Sequence, residues 1–163
     1  MASCIIPDSE YAPPLQTPVF VVQSSITPSP QSTLALTQDP PVTIHLAMTV
    51  YAEDAGDELI SALYFDYKHE NGYFVLPHRH GIGTISMPRS VVYDVSSARF
   101  EAGCHTLTIM VLHESHWDDA NSEVIGTPSD LASVNWFVNF ENGTATLLNS
   151  CPDATTEVPG IGR

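Results

Sequence analysis

The sequence predicts an all-β protein folded as a single β-sandwich, and three observations predict it. Apolar residues recur at every second position in several short runs, which is typical of strands with one buried face. Thirteen prolines and nine glycines punctuate the sequence between and around these runs. No stretch of a dozen residues shows the 3.6-residue period of an amphipathic helix. Short strands separated by turn-forming residues favour a sandwich or a barrel over an α/β fold.

Four runs carry the strongest strand pattern, at residues 42–51, 59–67, 104–113 and 132–140. In the first run Ile44, Leu46 and Met48 alternate with polar or small residues. In the last run Trp136 lies on the apolar face, so we expect it in the core. Weaker candidate strands are residues 18–24, 32–37, 74–77, 83–87 and 91–95.

The chain divides into three parts by composition. Residues 1–17 are rich in proline and polar residues and lack a hydrophobic period, so we predict an extended tether. Residues 18–151 form the predicted domain, and residues 152–163 form a predicted disordered tail.

The charge balance limits the partners. Five Lys and Arg stand against nineteen Asp and Glu, for a formal net charge of −14. Nucleic acid is excluded as a partner because its phosphates require clustered basic residues, and the same argument excludes a polybasic grip on anionic lipid. Cationic ligands, metal ions and basic protein surfaces are compatible with this charge.

The first residues, Met1-Ala2-Ser3-Cys4, end like the signal of a bacterial lipoprotein, where small residues precede a cysteine that becomes lipidated. We therefore predict a lipid anchor on Cys4 and interpret Met1 as an added or misplaced start. The predicted location is the bacterial cell envelope, anchored at the outer membrane and either periplasmic or surface-exposed. The alternative is an ordinary cysteine near the start of a cytosolic chain.

The other two cysteines are compatible with a disulfide. If the four strong strands are strands B, C, F and G of an immunoglobulin-like sandwich, Cys104 begins strand F, and strand G returns to its level. Cys151 follows the end of strand G by about ten residues and could reach Cys104. A Cys104–Cys151 bond suits an oxidising compartment. The alternative is a buried free thiol at Cys104 and an exposed one at Cys151.

Three stretches resemble a known group of proteins: residues 100–111 (FEAGCHTLTIMV), residues 130–138 (DLASVNWFV) and Cys151-Pro152. Together they are similar to uncharacterised bacterial envelope lipoproteins with an immunoglobulin-like domain. The resemblance covers about residues 45–152. It departs at Ala102, where the pattern usually has proline, but Gly103 can still make the turn. It implies lipidation and a sandwich, and it implies no activity.

Two clusters are candidate metal sites. His78 and His80 lie two apart, as strand residues on one face do, and could bind Zn²⁺ or Cu²⁺ with His113 or His116. Acidic residues fill the predicted B–C turn and the F–G segment, and four of them are candidate Ca²⁺ ligands: Asp54, Asp57, Asp118 and Asp119. The alternative in each case is a solvated loop. The segment 113–116 (HESH) is not a zinc-peptidase motif, because it has one residue too few between its two histidines.

No cofactor is predicted beyond this possible Ca²⁺, and no catalytic motif is present. The sequence lacks the Gly-x-Ser-x-Gly elbow and any Gly-rich phosphate loop. The F–G segment, from His113 to Leu131, is long for a hairpin connection and carries Trp117 beside His116 as a candidate recognition anchor. The alternative is that Trp117 folds back over the end of the sandwich.

The predicted function is a non-enzymatic binding module, an adhesion, scaffold or accessory subunit that recognises an envelope protein with its B–C and F–G loops. The alternative is a metal-binding periplasmic or surface module.

Overall fold

The computed structural model describes residues 17–52, 58–67, 72–74, 77–81, 87–126 and 130–141. Within these ranges the only helical segments are three 3₁₀ turns, at Gln23–Ser25, Ser97–Arg99 and Glu114–His116. The strands are β1 Phe20–Val21, β2 Leu34–Thr37, β3 Thr43–Tyr51, β4 Leu59–Phe65, β5 Tyr73–Phe74, β6 His78–His80, β7 Arg89–Ser96, β8 Gly103–His113, β9 Trp117–Asp118, β10 Glu123–Val124 and β11 Ala132–Glu141. None of the described segments is a helix long and apolar enough to cross a membrane.

The strands form two main sheets that pack face to face. The smaller sheet has the order β1–β3–β7 and the larger one the order β2–β11–β8–β4–β5, with β6 also paired to β4. β2 runs parallel to β11, and the other pairs of strands are antiparallel. β9 and β10 form a separate hairpin. The all-β sandwich predicted from the sequence is confirmed at this level.

The space between the sheets is filled by the apolar face of each strand. β3 alternates between buried and more exposed positions along its whole length, and so does β7, as a strand with one buried face does. Trp136 is fully buried in this core, as the sequence predicts. At one end Phe100 stacks on Phe65 with ring centroids 4.3 Å apart.

A second apolar cluster lies on the outer face of the larger sheet. Ile60 and Ala62 from β4 and Leu112 from β8 form it together with Trp117. β4 and β8 are therefore buried on both faces in this region, which explains why residues 59–63 and 107–113 are continuously buried.

The predicted strands and the observed strands agree for the four strongest runs, although β4 ends at Phe65 instead of residue 67. Of the weaker candidates, 32–37 and 91–95 correspond to β2 and β7, and 18–24 contains only the two-residue β1. The candidate at 74–77 overlaps β5 at Phe74, and residues 75–76 lie outside the described residues. The candidate at 83–87, most of the predicted tether and the predicted tail lie outside the described residues.

Candidate functional site

Residues 114–126, in the connection between β8 and β11, form regular structure. After the 3₁₀ turn Glu114–His116 the chain forms the β9–β10 hairpin, in which Asp118 pairs with Glu123 and Trp117 pairs with Val124. The N–H of Ile125 donates to the carbonyl of His116 and closes the base of the hairpin. We call residues 114–126 the acidic hairpin.

The tip of the acidic hairpin is held by one carboxylate. Oδ1 of Asp118 accepts hydrogen bonds from the N–H of Ala120 at 2.8 Å and of Asn121 at 3.3 Å. Oδ2 accepts a third from the Asn121 amide at 2.6 Å. The Asn121 amide, followed by the Ala120 N–H, lowers the pKa of Asp118 below its usual value. Asp118 therefore shapes the turn, and both of its oxygens are engaged.

Trp117 is only 6% exposed and packs on Ile60, Ala62 and Leu112. Of the two alternatives for Trp117, an exposed recognition anchor is therefore wrong, and the ring folds back over the sandwich. Its burial fastens the acidic hairpin to the outer face of the larger sheet.

Arg79 of β6 braces the same hairpin from the neighbouring strand. Its guanidinium donates to the carboxylates of Glu114 and Asp119. Asp119 is therefore paired with a cation. Arg79 lies opposite Ile60 in the pairing of β6 with β4, so β6 positions this bridge beside the hairpin. Of the two alternatives for residues 78–80, a strand or a solvated loop, the pairing with β4 shows a strand.

A buried carboxylate ties down the far end of the acidic hairpin. Asp130 is 2% exposed, and its Oδ1 lies 3.1 Å from Nδ1 of His116. Nε2 of the fully buried His113 lies 4.0 Å from Oδ2 of Asp130. The main-chain carbonyl of Asp130 accepts from the N–H of Val19 at 3.2 Å. The anchoring role of Asp130 was missed in the sequence, where it is one of several acidic residues in a polar segment.

The chain that leads into β4 meets the acidic hairpin at the same end of the sandwich. The N–H of Glu114 donates to the carbonyl of Glu58 at 2.9 Å. The residue before β4 and the first residue of the acidic hairpin are therefore adjacent. Asp54 and Asp57, the calcium-ligand candidates of the B–C turn, lie outside the described residues.

The two histidines of β6 make separate contacts. Nε2 of His80 lies 2.7 Å from the hydroxyl of Ser61. Burial lowers the pKa of His80, and the neighbouring His78 and Arg89 lower it further. His78 stacks on the ring of Tyr93 with centroids 4.6 Å apart.

These contacts do not form the predicted zinc or copper site. In the part of the chain that the structure describes, no three or more His, Cys, Asp or Glu residues are grouped so that they could hold a metal ion. His113, one of the predicted third ligands, is fully buried behind the hairpin, and His116, the other, is bound to Asp130.

The acidic hairpin is therefore a fixed surface feature, held by Trp117 beneath it, Arg79 beside it and Asp130 at its end. It presents exposed carboxylates together with Ile125, an apolar side chain that is 50% exposed.

No protein-family model matches the chain, and the comparison with curated proteins finds no significant match.

Proposed function

We propose that this chain is a non-enzymatic binding module of the cell envelope that recognises a basic protein through the acidic hairpin and the adjoining B–C connection. The single observation that carries the proposal is the ordered state of the hairpin. Buried Trp117, the Arg79 bridge and the Asp118 turn hold an exposed acidic surface in one conformation. Association with such a surface costs less ordering of side chains and loops than association with a mobile loop.

The immunoglobulin-like topology is part of the proposal. The pairings β1–β3–β7 and β2–β11–β8–β4 correspond to strand orders A–B–E and A′–G–F–C. The parallel pairing of β2 with β11 is compatible with a first strand that divides between the two sheets. In this topology the B–C and F–G connections share one end, and the contact between Glu58 and Glu114 supports this arrangement.

The envelope location rests on the residues around Cys4. Its test is intact-mass spectrometry of protein expressed with its native upstream sequence. A diacyl or triacyl mass on Cys4 is the expected result, and an unlipidated chain would exclude the anchor. The metal-binding alternative stays a prediction, and no contact among the described residues favours it.

The binding surface is tested by photocrosslinking in the native host. A photoreactive amino acid at Ile125, which is half-exposed on the acidic hairpin, should capture one recurring basic protein. The matched control carries the same residue at exposed Glu101, near the start of β8 at the opposite end of the sandwich. Equal capture at both positions would contradict the proposal.

A matched pair of charge reversals tests the electrostatic part with the captured protein in purified form. Glu123→Lys on β10 and Glu101→Lys far from the hairpin change the net charge equally. Glu123→Lys should weaken binding about tenfold, and Glu101→Lys should have little effect. Equal effects of the two variants would mean that the partner is attracted by the net charge of the protein and does not recognise the acidic hairpin.

A further inference from the structure

On one side of the sandwich both sheets end in a strand with an open edge. Among the described strands of the larger sheet, β2 is the last and pairs only with β11. In the smaller sheet β3 pairs with β7 from Thr43 to Val50, whereas β1 covers only Val50 and Tyr51. A single further bridge joins Thr27 to Ala47. Beyond that bridge, no described strand pairs with the start of β3 on this side.

The direction of the main-chain groups follows from that bridge. The N–H and the C=O of Ala47 both bond to Thr27 at 2.8 Å. Because alternate residues of a strand direct their main-chain groups to the same side, Thr43 and His45 direct theirs past Thr27 to the open edge. Among the described residues, none is hydrogen-bonded to the main chain of Thr43 or His45.

A cleft of about 460 Å³ lies between the two open edges. Its apolar wall includes Leu34, Leu36 and Ile44. The cleft is bounded at one end by Thr37, whose carbonyl accepts from the hydroxyl of Ser97 at 2.7 Å. We call the open edges of β2 and of residues 43–45, with the space between them, the edge cleft.

We propose that the edge cleft binds an extended segment of a basic partner protein, which adds as a strand to β3. Unpaired main-chain groups on a strand edge are a template for another extended chain. The β2 wall is four residues long, and at about 3.3 Å per residue it matches a segment of about four residues. Every second side chain of that segment would lie on the apolar wall, so apolar residues should alternate with polar ones.

The sign of the partner's charge follows from this chain. Exposed Asp94 of β7 pairs with His45, a residue of the cleft, and exposed Asp39 follows β2. A second copy of the chain would bring another net charge of −14 to this edge, so long-range repulsion opposes edge-to-edge dimers. Lysine or arginine next to the apolar positions would be attracted. This site lies on a side edge of the sandwich and is independent of the acidic hairpin.

The first test uses the full-length protein and a synthetic probe. The probe is a fluorescein-labelled peptide in which valines alternate with threonines between flanking lysines, and binding is measured by fluorescence anisotropy. The control peptides are the same sequence with N-methylated valines and the same sequence with flanking glutamates. We expect micromolar to sub-millimolar binding of the first peptide and at least tenfold weaker binding of both controls. Absence of binding at about 1 mM would overturn the proposal.

The second test is a matched pair of variants at Thr43. Thr43→Pro removes the outward N–H at the first residue of β3, where proline is tolerated in a strand. Thr43→Val changes the exposed side chain and keeps that N–H. Thr43→Pro should weaken peptide binding about fivefold or more, and Thr43→Val should leave it within about twofold. Equal affinities of the two variants would exclude pairing through the main chain.

A third test measures amide hydrogen exchange of the wild-type protein by NMR. It requires no variant, so it does not depend on whether the Thr43 variants fold. The amides of Thr43 and His45 should exchange rapidly in the free protein and slow at least tenfold with the peptide bound. Slow exchange in the free monomer would mean that another part of this chain occupies the cleft, and concentration-dependent protection would indicate a second copy. Either result would overturn the proposal. Glu123→Lys should leave peptide binding unchanged. A failure of the edge-cleft proposal is therefore distinguishable from a failure of the proposed function of the acidic hairpin.

Discussion

Nε1 of Trp136 donates a hydrogen bond of 2.7 Å to the carbonyl oxygen of Pro28, across 108 residues of sequence. Just before Pro28 the chain is bridged to β3 of the smaller sheet through Thr27, and after it the chain joins the larger sheet, where Leu34 pairs with Val138. The indole therefore holds the crossing of the N-terminal segment from one sheet to the other, and this crossing leaves β3 open beyond Thr27.

Replacing Trp136 by Phe should destabilise the domain by about 2–4 kcal/mol, because the fully buried ring is reduced in size and the Pro28 carbonyl loses its donor. Urea unfolding followed by far-UV circular dichroism measures the change. The control is Asn135→Ala on the exposed face of the same strand, which should change the free energy of unfolding by less than about 0.5 kcal/mol. Equal effects of the two variants would contradict the role given to the indole.

Asp66 closes the turn after β4 onto β8. Its Oδ1 accepts from the N–H of Thr106 at 2.8 Å, its Oδ2 lies 2.7 Å from Nδ1 of His105, and its φ of 48° is left-handed. Asp66→Ala should cost about 1–3 kcal/mol, because it removes both acceptors and places alanine in a strained conformation. Asp66→Asn keeps one acceptor oxygen and tolerates this φ, so it should cost clearly less. Thermal unfolding of both variants measures the two losses of stability. A larger loss for Asp66→Asn than for Asp66→Ala would contradict the prediction.

Tyr93 should make the domain sensitive to alkali. It is 3% exposed, and its burial raises its pKa to about 12. The unfolded chain releases the phenolic proton near its ordinary pKa of about 10. Rising pH therefore favours the unfolded state, and the contribution of Tyr93 is complete below about pH 10 and lost toward pH 12.

The measurement is urea unfolding of the wild type and of Tyr93→Phe at about pH 8 and about pH 11.5. The wild type should lose on the order of 2 kcal/mol more than the variant between these values. Tyr64, whose pKa is also raised to about 12, is present in both proteins. Tyr93 is the last of the causes of that rise, after burial, Tyr67 and Glu123, so most of the Tyr64 contribution is common to both. Equal losses in the two proteins would contradict the prediction.

The predicted disulfide is tested by thiol alkylation before and after reduction, with intact-mass detection. Asn139 pairs with Cys104, so β11 reaches the level of Cys104 two residues before its end at Glu141. This is the arrangement that would allow Cys151 to return to Cys104, and Cys151 itself lies outside the described residues. Two thiols should appear only after reduction, and Cys151→Ser should leave Cys104 open to alkylation. Three reactive thiols in the unreduced, denatured protein would exclude the bond.

Strands with one buried face could be predicted from the sequence because their alternation is local. β3 and β11 were predicted to within one residue of their observed bounds for this reason. The double burial of β4 could not be anticipated in the same way, because it depends on Trp117, which returns from a distant segment to cover Ile60. Both alternatives for Trp117 agreed with the sequence, and only its packing decided between them.

The candidate site was predicted in part. The acidic character of the segment between β8 and β11 could be inferred from composition. The partners of Arg79 and the burial of Asp130 could not, since both depend on pairings between strands distant in sequence. The same applies to His78 and His80, for which the sequence left a strand and a loop open and which lie on a strand paired with β4.

By itself the sequence determined the all-β class, the main strands of the core and the strong negative charge, because local periodicity and composition are sufficient for these properties. The tertiary structure alone decided that the F–G segment folds into a hairpin on the outer sheet face and that the start of β3 is left with an open edge. Both features depend on which distant segments meet, and contacts of that kind are set by the packing of the whole domain and by the main-chain hydrogen bonds that each register allows.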